Sequence, residues 1–115
     1  MSAIKAAFIG GNQAGCLGLI TLYAAGCTPT TVVAYDESVR HLAETLNLPV
    51  FASIRNPGFY ETLSRSDILV SVHGREIVPK RLLSTLPLGG INAHPCLYRY
   101  KGANPVGRLL QDGNS

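Results

Sequence analysis

The chain has 115 residues, which is room for one domain with a real core and not for two. Its 46% hydrophobic and 15% charged residues exclude a disordered tail, and a net charge of +3 suits a small anion but falls short of a nucleic-acid-binding face. Three scattered cysteines form neither a disulfide framework nor a zinc motif and fit a reducing cytoplasm, while no apolar run reaches the roughly 18 residues a membrane helix needs.

Residues 4–9 are an apolar run of strand length, stopped by Gly10-Gly11. Over residues 14–26, Cys16, Leu17, Ile20, Tyr23 and Ala24 recur at helical spacing, and Gly26 suits the position just past a helix end. Thr31-Val32-Val33-Ala34-Tyr35 reads as a second strand, closed by Asp36. Ser38 is placed to cap a helix through Leu46, with Val39, Leu42, Ala43 and Leu46 on one face. Pro49-Val50-Phe51 is a short third strand, and Pro57 opens a helix covering Phe59 to Leu63. Residues 67–72 are a fourth strand, and Pro79 opens a helix through Leu86. Gly90-Ile91-Asn92-Ala93-His94 is a fifth strand that stops at Pro95, which has no amide to give to a ladder. A loop and a last helix from about Pro105 complete the chain.

Strands apolar on both sides, alternating with helices, predict an α/β fold: a five-stranded, mainly parallel sheet with helices on both faces. Ligands of such sheets bind beyond the carboxyl ends of the strands, which singles out residues 10–15, 73–79 and 94–105. In the first loop, the backbone amides of Gly10, Gly11 and Asn12 at a helix start could hold an anion or a polar substrate. The loop reads equally as a tight turn, since Asn12 breaks the dinucleotide-binding glycine pattern and no Gly-Lys-Ser/Thr follows. Without that pattern Asp36 reads as the acid of a helix-starting turn rather than a ribose ligand. In the second loop, Gly74 lets backbone approach a ligand, while Arg75 and Glu76 could equally form an exposed pair. His41 lies in a polar helical stretch and reads as solvated. Two apart on a strand, Asn92 and His94 face the same side and set an amide donor beside an imidazole acid/base. By spacing alone a structural role for that pair is as good a reading.

The run Asn92-Ala93-His94-Pro95-Cys96-Leu97, followed by Tyr100-Lys101-Gly102-Ala103-Asn104-Pro105, resembles a longer signature. It is the Asn-x-His-Pro-Ser-Leu-Leu-Pro-x-Tyr-Arg-Gly-x-x-Pro motif of the folate-dependent formyltransferases, which act on methionyl-tRNA, glycinamide ribonucleotide and sugar nucleotides. Residues 67–79 also resemble that family's strand and cofactor loop, and the likeness covers nearly the whole chain. It implies a Rossmann-like formyltransferase domain over residues 1–115 and transfer of a formyl group from 10-formyltetrahydrofolate to a primary amine.

The resemblance also implies roles for individual residues. Asn92 would bind the formyl oxygen and His94 would assist proton transfer. His73, Gly74, Arg75, Glu76, Ile77 and Val78 would face the pterin ring, and Gly10, Gly11 and Asn12 would lie near the amine; no metal is implied. Cys96 replaces the usual Ser, and Tyr98-Arg99 departs from the usual Leu/Pro pattern. A short loop after Asp36, without the Lys-rich insertion of the tRNA-acting branch, points to a small amine such as an amino sugar on a nucleotide rather than to nucleic acid or a membrane. The family's third catalytic residue, an acid, would fall beyond Ser115. The expectation is therefore a domain incomplete at its carboxyl side, with little activity alone and a sheet edge covered by a missing segment or a second copy. The alternative is a folate- or nucleotide-binding module without chemistry.

Overall fold

The computed structural model describes residues 4–93. The elements run β1 (Ala6–Gly10), α1 (Asn12–Ala24), β2 (Thr31–Ala34), α2 (Glu37–Thr45), β3 (Val50–Phe51), α3 (Pro57–Leu63), β4 (Ile68–Val72), α4 (Lys80–Leu83) and β5 (Gly90–Ala93). The five strands form one sheet in the order β3-β2-β1-β4-β5, and every neighbouring pair is parallel, as the apolar strand runs require. His94, expected to end the fifth strand, and the helix expected from Pro105 lie outside the described residues.

β1 is the centre of the sheet and all five of its residues are buried. Alternation sends Phe8 to one face, where it meets Leu19 of α1 and Val39 and Ala43 of α2, with Val32 and Val72 beside it. Ala7 and Ile9 point to the other face, against Phe59 and Leu63 of α3 and Leu82 of α4. Chain direction along the sheet reverses between β3 and β4, because β4 returns to lie beside β1 with Gly10 opposite Val72. The topological switch point therefore falls between β1 and β4, whose carboxyl ends stay paired.

Three local expectations are corrected. The apolar stripe of α1 is not its packing face: Leu17, Ile20 and Tyr23 are exposed, and the helix lies on the sheet through Gly15, Gly18 and Leu19. The glycines decide this, since a Cβ on Gly15 would stand 3.1 Å from the Gly10 carbonyl carbon and one on Gly18 3.0 Å from Val72 Cγ2. Closeness of backbones outweighs the area of the larger side chains. At the start of α2 the cap is Asp36, whose carboxylate accepts from Val39 N at 3.1 Å, not Ser38, which lies inside the helix. Finally, α4 ends at Leu83 rather than Leu86. Tighter bonds from Thr85 N to Leu82 O and Leu86 N to Leu83 O replace the α pattern there, and Pro87 disfavours a helical Leu86. Gly26 does close α1 as expected, with φ +87°. No helix among the described residues is long and apolar enough to cross a membrane.

Candidate active site

The parallel sheet gathers the strand carboxyl ends, and the turn after β1 wedges between those of β2 and β4. Gly10 admits no side chain: a Cβ there would stand 2.8 Å from the Val72 carbonyl oxygen and 2.8 Å from the Phe8 ring. Gly11 N donates to Val72 O at 3.3 Å, and a Cβ on Gly11 would approach Tyr35 Cβ to 3.3 Å. Asn12 N donates to Asp36 Oδ2. Two of the amides singled out as an anion cradle thus already have partners, and the negative charge at the start of α1 is Asp36 itself. Burial pushes the Asp36 carboxyl up, but hydrogen bonds from the Asn12 and Val39 amides, the Arg75 charge and the Ser38 hydroxyl together hold it below the ordinary aspartate value. Asp36 is therefore the acid of a helix start, serving two helices at once.

The segment after β4 begins with His73 in the left-handed region, φ +60°, a conformation non-glycine residues seldom adopt. Gly74 then lies down on β4, so close that a Cβ would stand 2.6 Å from Ser71 Oγ. Arg75 and Glu76 do not pair with each other. Arg75 Nη1 donates to the Tyr35 carbonyl at 3.0 Å. Glu76 Oε1 accepts from Tyr35 OH at 2.7 Å and from Ile54 N at 2.9 Å, and its Oε2 accepts from Ser53 Oγ at 2.6 Å. Burial again pushes this carboxyl up, but the Ser53, Ile54 and Tyr35 hydrogen bonds and the Arg55 charge bring it below the ordinary glutamate value. The phenol of Tyr35 moves the opposite way, raised by burial and by its bond to the Glu76 carboxylate, so it stays a donor.

Beneath this segment is a cavity of about 460 Å³. Its walls are Leu69 and Ser71 of β4, Leu83 of α4, Gly90, Ile91 and Asn92 of β5, and His73, Gly74, Glu76, Ile77 and Val78 from the loop. Register sets Asn92 beside Ser71, on the cavity side of the sheet. Apolar walls with a few polar groups, within the size range of small-molecule sites, make this the candidate ligand pocket. Ile77 stands 93% exposed at the rim, an apolar surface for a ligand or neighbouring segment to cover.

The structure thus brings His73, Gly74, Glu76, Ile77, Val78 and Asn92 to one cavity. It sets Arg75 and the Gly10–Asn12 turn beside that cavity rather than in its wall, and His94 lies outside the described residues. His41 is exposed on α2, as its polar surroundings imply. Sequence reading missed Tyr35, Ser53 and Leu83. The one available signal was Tyr35, a hydroxyl at the end of an otherwise apolar strand.

A doubly covered parallel sheet with a pocket lined by the segment after β4 makes this an open α/β domain. No family model matches the chain. It is 34% identical over 80 residues to methionyl-tRNA formyltransferase of Buchnera aphidicola subsp. Baizongia pistaciae, a match covering 65% of this chain and 25% of that protein. The fold is that of phosphoribosylglycinamide formyltransferase from Anaplasma phagocytophilum, with TM-score 0.62 and 18% identity over 97% of this chain and 60% of that one. It is also that of a formyltetrahydrofolate deformylase from Pseudomonas syringae pv. tomato, with TM-score 0.58 and 18% identity over 97% and 43% of the two chains. The chain is thus similar in sequence to one formyltransferase and in fold to others, and it spans about a quarter of the length of the curated relative it matches.

Proposed function

We propose that this chain supplies the formyl-donor side of an N-formyltransferase whose donor is 10-formyltetrahydrofolate and whose acceptor is a primary amine. One observation carries the reading: Asn92 and the segment after β4 line a single cavity at the carboxyl edge of the sheet. The cavity residues fit a reduced folate. Leu69, Leu83 and Val78 offer faces for the pterin ring, and the backbone of residues 74–78 offers donors and acceptors for its edge. When bound, the folate supplies the formyl group. The Asn92 amide donates to the formyl oxygen, where negative charge gathers as the amine nitrogen bonds to the carbon. His94 takes the proton that the amine sheds and returns one to the departing folate nitrogen.

The acceptor approaches past the Gly10–Asn12 turn. Asp36 already provides the anion there, so the turn suits ring hydroxyls and the amine better than a phosphate. An amino sugar on a nucleotide meets that condition when its phosphates point away from the turn, and neither nucleic acid nor a membrane is needed. Calorimetry with a hydrolysis-resistant 5,8-dideaza analogue of 10-formylfolate tests the donor site. Formylation assays over amino-sugar nucleotides and simple amines test the acceptor. Saturable binding of the analogue, lost in Asn92→Ala or weakened by Ile77→Asp, is the expected result. Absence of binding by the full-length protein overturns the folate reading.

A further inference from the structure

We infer that Glu76 is a positioning residue, which holds the segment after β4 in the shape that presents its backbone to the ligand. The inference rests on the reading of the cavity as a folate site and asks what gives that site its form. Among the described residues, Gly74, Arg75, Glu76, Ile77 and Val78 make no backbone-to-backbone hydrogen bond. A segment without such bonds opens readily unless side chains hold it. Its amides and carbonyls are then available to a ligand, but only while the segment keeps one shape.

Glu76 supplies that hold. Its carboxylate takes three donors at 2.6–2.9 Å, from Tyr35 at the end of β2 and from Ser53 and Ile54 between β3 and α3. Bonds to an ionised acceptor are the stronger kind. Ser53 Oγ is fixed in turn by the Arg55 amide at 3.0 Å. Arg75, on the neighbouring position, anchors to the Tyr35 carbonyl, so two successive side chains clasp the segment to the same residue. The clasp turns Ile77 outward over the cavity mouth, with Glu76 itself in the wall. A bound ring system would thus meet a surface organised before it arrives, which lowers the ordering cost of binding.

Amide hydrogen exchange on the ligand-free protein and calorimetry with the 5,8-dideaza analogue test this together. In Glu76→Ala, exchange at residues 74–78 should rise about tenfold or more while β1 and β4 keep their protection. The analogue should bind about tenfold more weakly in the same variant. Glu76→Gln, which keeps an acceptor oxygen, should recover part of both effects. Tyr35→Phe removes one donor and leaves the carboxylate, so it reports on the clasp even where Glu76→Ala folds poorly. Unchanged exchange at residues 74–78 in Glu76→Ala and Tyr35→Phe overturns the inference, as does unchanged affinity in a variant whose exchange has risen. Should the wild-type protein not bind the analogue, the folate reading fails, and the exchange result still decides whether Glu76 holds the segment.

Discussion

Gly10 shows how little freedom single positions have where three strand ends meet. A methyl group there has the Val72 carbonyl oxygen and the Phe8 ring each at 2.8 Å, and the carbonyl belongs to a paired strand that cannot give way. Gly10→Ala should therefore lower stability by about 1–3 kcal/mol, read from the urea midpoint, through overpacking alone. The two clasping carboxylates make a separate prediction. Asp36 and Glu76 are both held below their ordinary values, so each contributes stability that is present above the unfolded carboxylate range, about pH 4. That contribution is lost as the pH falls through their folded-state values. Asp36→Asn and Glu76→Gln should each flatten the acid limb of a stability-against-pH curve and leave its neutral limb parallel to wild type. Equal steepness in all three proteins would contradict this. At His73, which is left-handed, His73→Val should destabilise by about 1–2 kcal/mol more than His73→Gly in the same denaturation series, because a branched Cβ suffers most there.

On the scale of whole elements, the strands and the packing face of α2, with Val39, Leu42, Ala43 and Leu46, were legible and the face of α1 was not. Runs such as residues 31–34 and 68–72 are apolar and branched because both of their faces are covered, a pattern short enough to read directly. In α1 the same logic misleads: Leu17 at 66% and Ile20 at 47% exposure face away from the sheet, while two glycines and Leu19 meet it. Hydrophobicity measures what a side chain gains on burial and is silent on where a backbone must come close. Leu19→Ala should thus cost about 2–5 kcal/mol, whereas Leu17→Gln should stay within about 0.5 kcal/mol of wild type. Chemical denaturation of the two variants, side by side, checks the assignment of the faces. The cavity was half legible for a related reason. Residues 73–78 could be placed by the rule that ligands gather at strand carboxyl ends, and Asn92 by its spacing to His94 on the fifth strand. The bonds of Glu76 to Tyr35 and Ser53, 41 and 23 residues away, have no local pattern to betray them.

At the scale of the molecule, one sheet separates two cores, and β1 serves both through alternate side chains. Neither core exists without the other, since removing Phe8 or Ile9 from one face disturbs the strand that carries the next. Unfolding should be a single transition, with far-UV circular dichroism and tyrosine fluorescence superimposing across urea. Separate midpoints for the two probes would mean that the faces come apart independently. The edges of the described sheet differ: β3 is only two residues long, a protected edge, whereas β5 carries Ile91 at 54% exposure.

The uniform strand direction has a consequence for how such a domain can change over time. The loop that lines the cavity lies at one rim of the sheet, whereas the bonds at the opposite rim only tie elements together: Lys5 N to Asp67 Oδ2 at 2.8 Å, Thr30 N to Ala6 O at 2.8 Å, and the Thr30–Ser66 hydroxyl pair. Selection for a new ligand can therefore rewrite one rim while gains in robustness accumulate on the other, and the two kinds of change need not meet. The same separation marks residues 25–29 as a place to attach a dye or an affinity handle without the ligand ever sensing it.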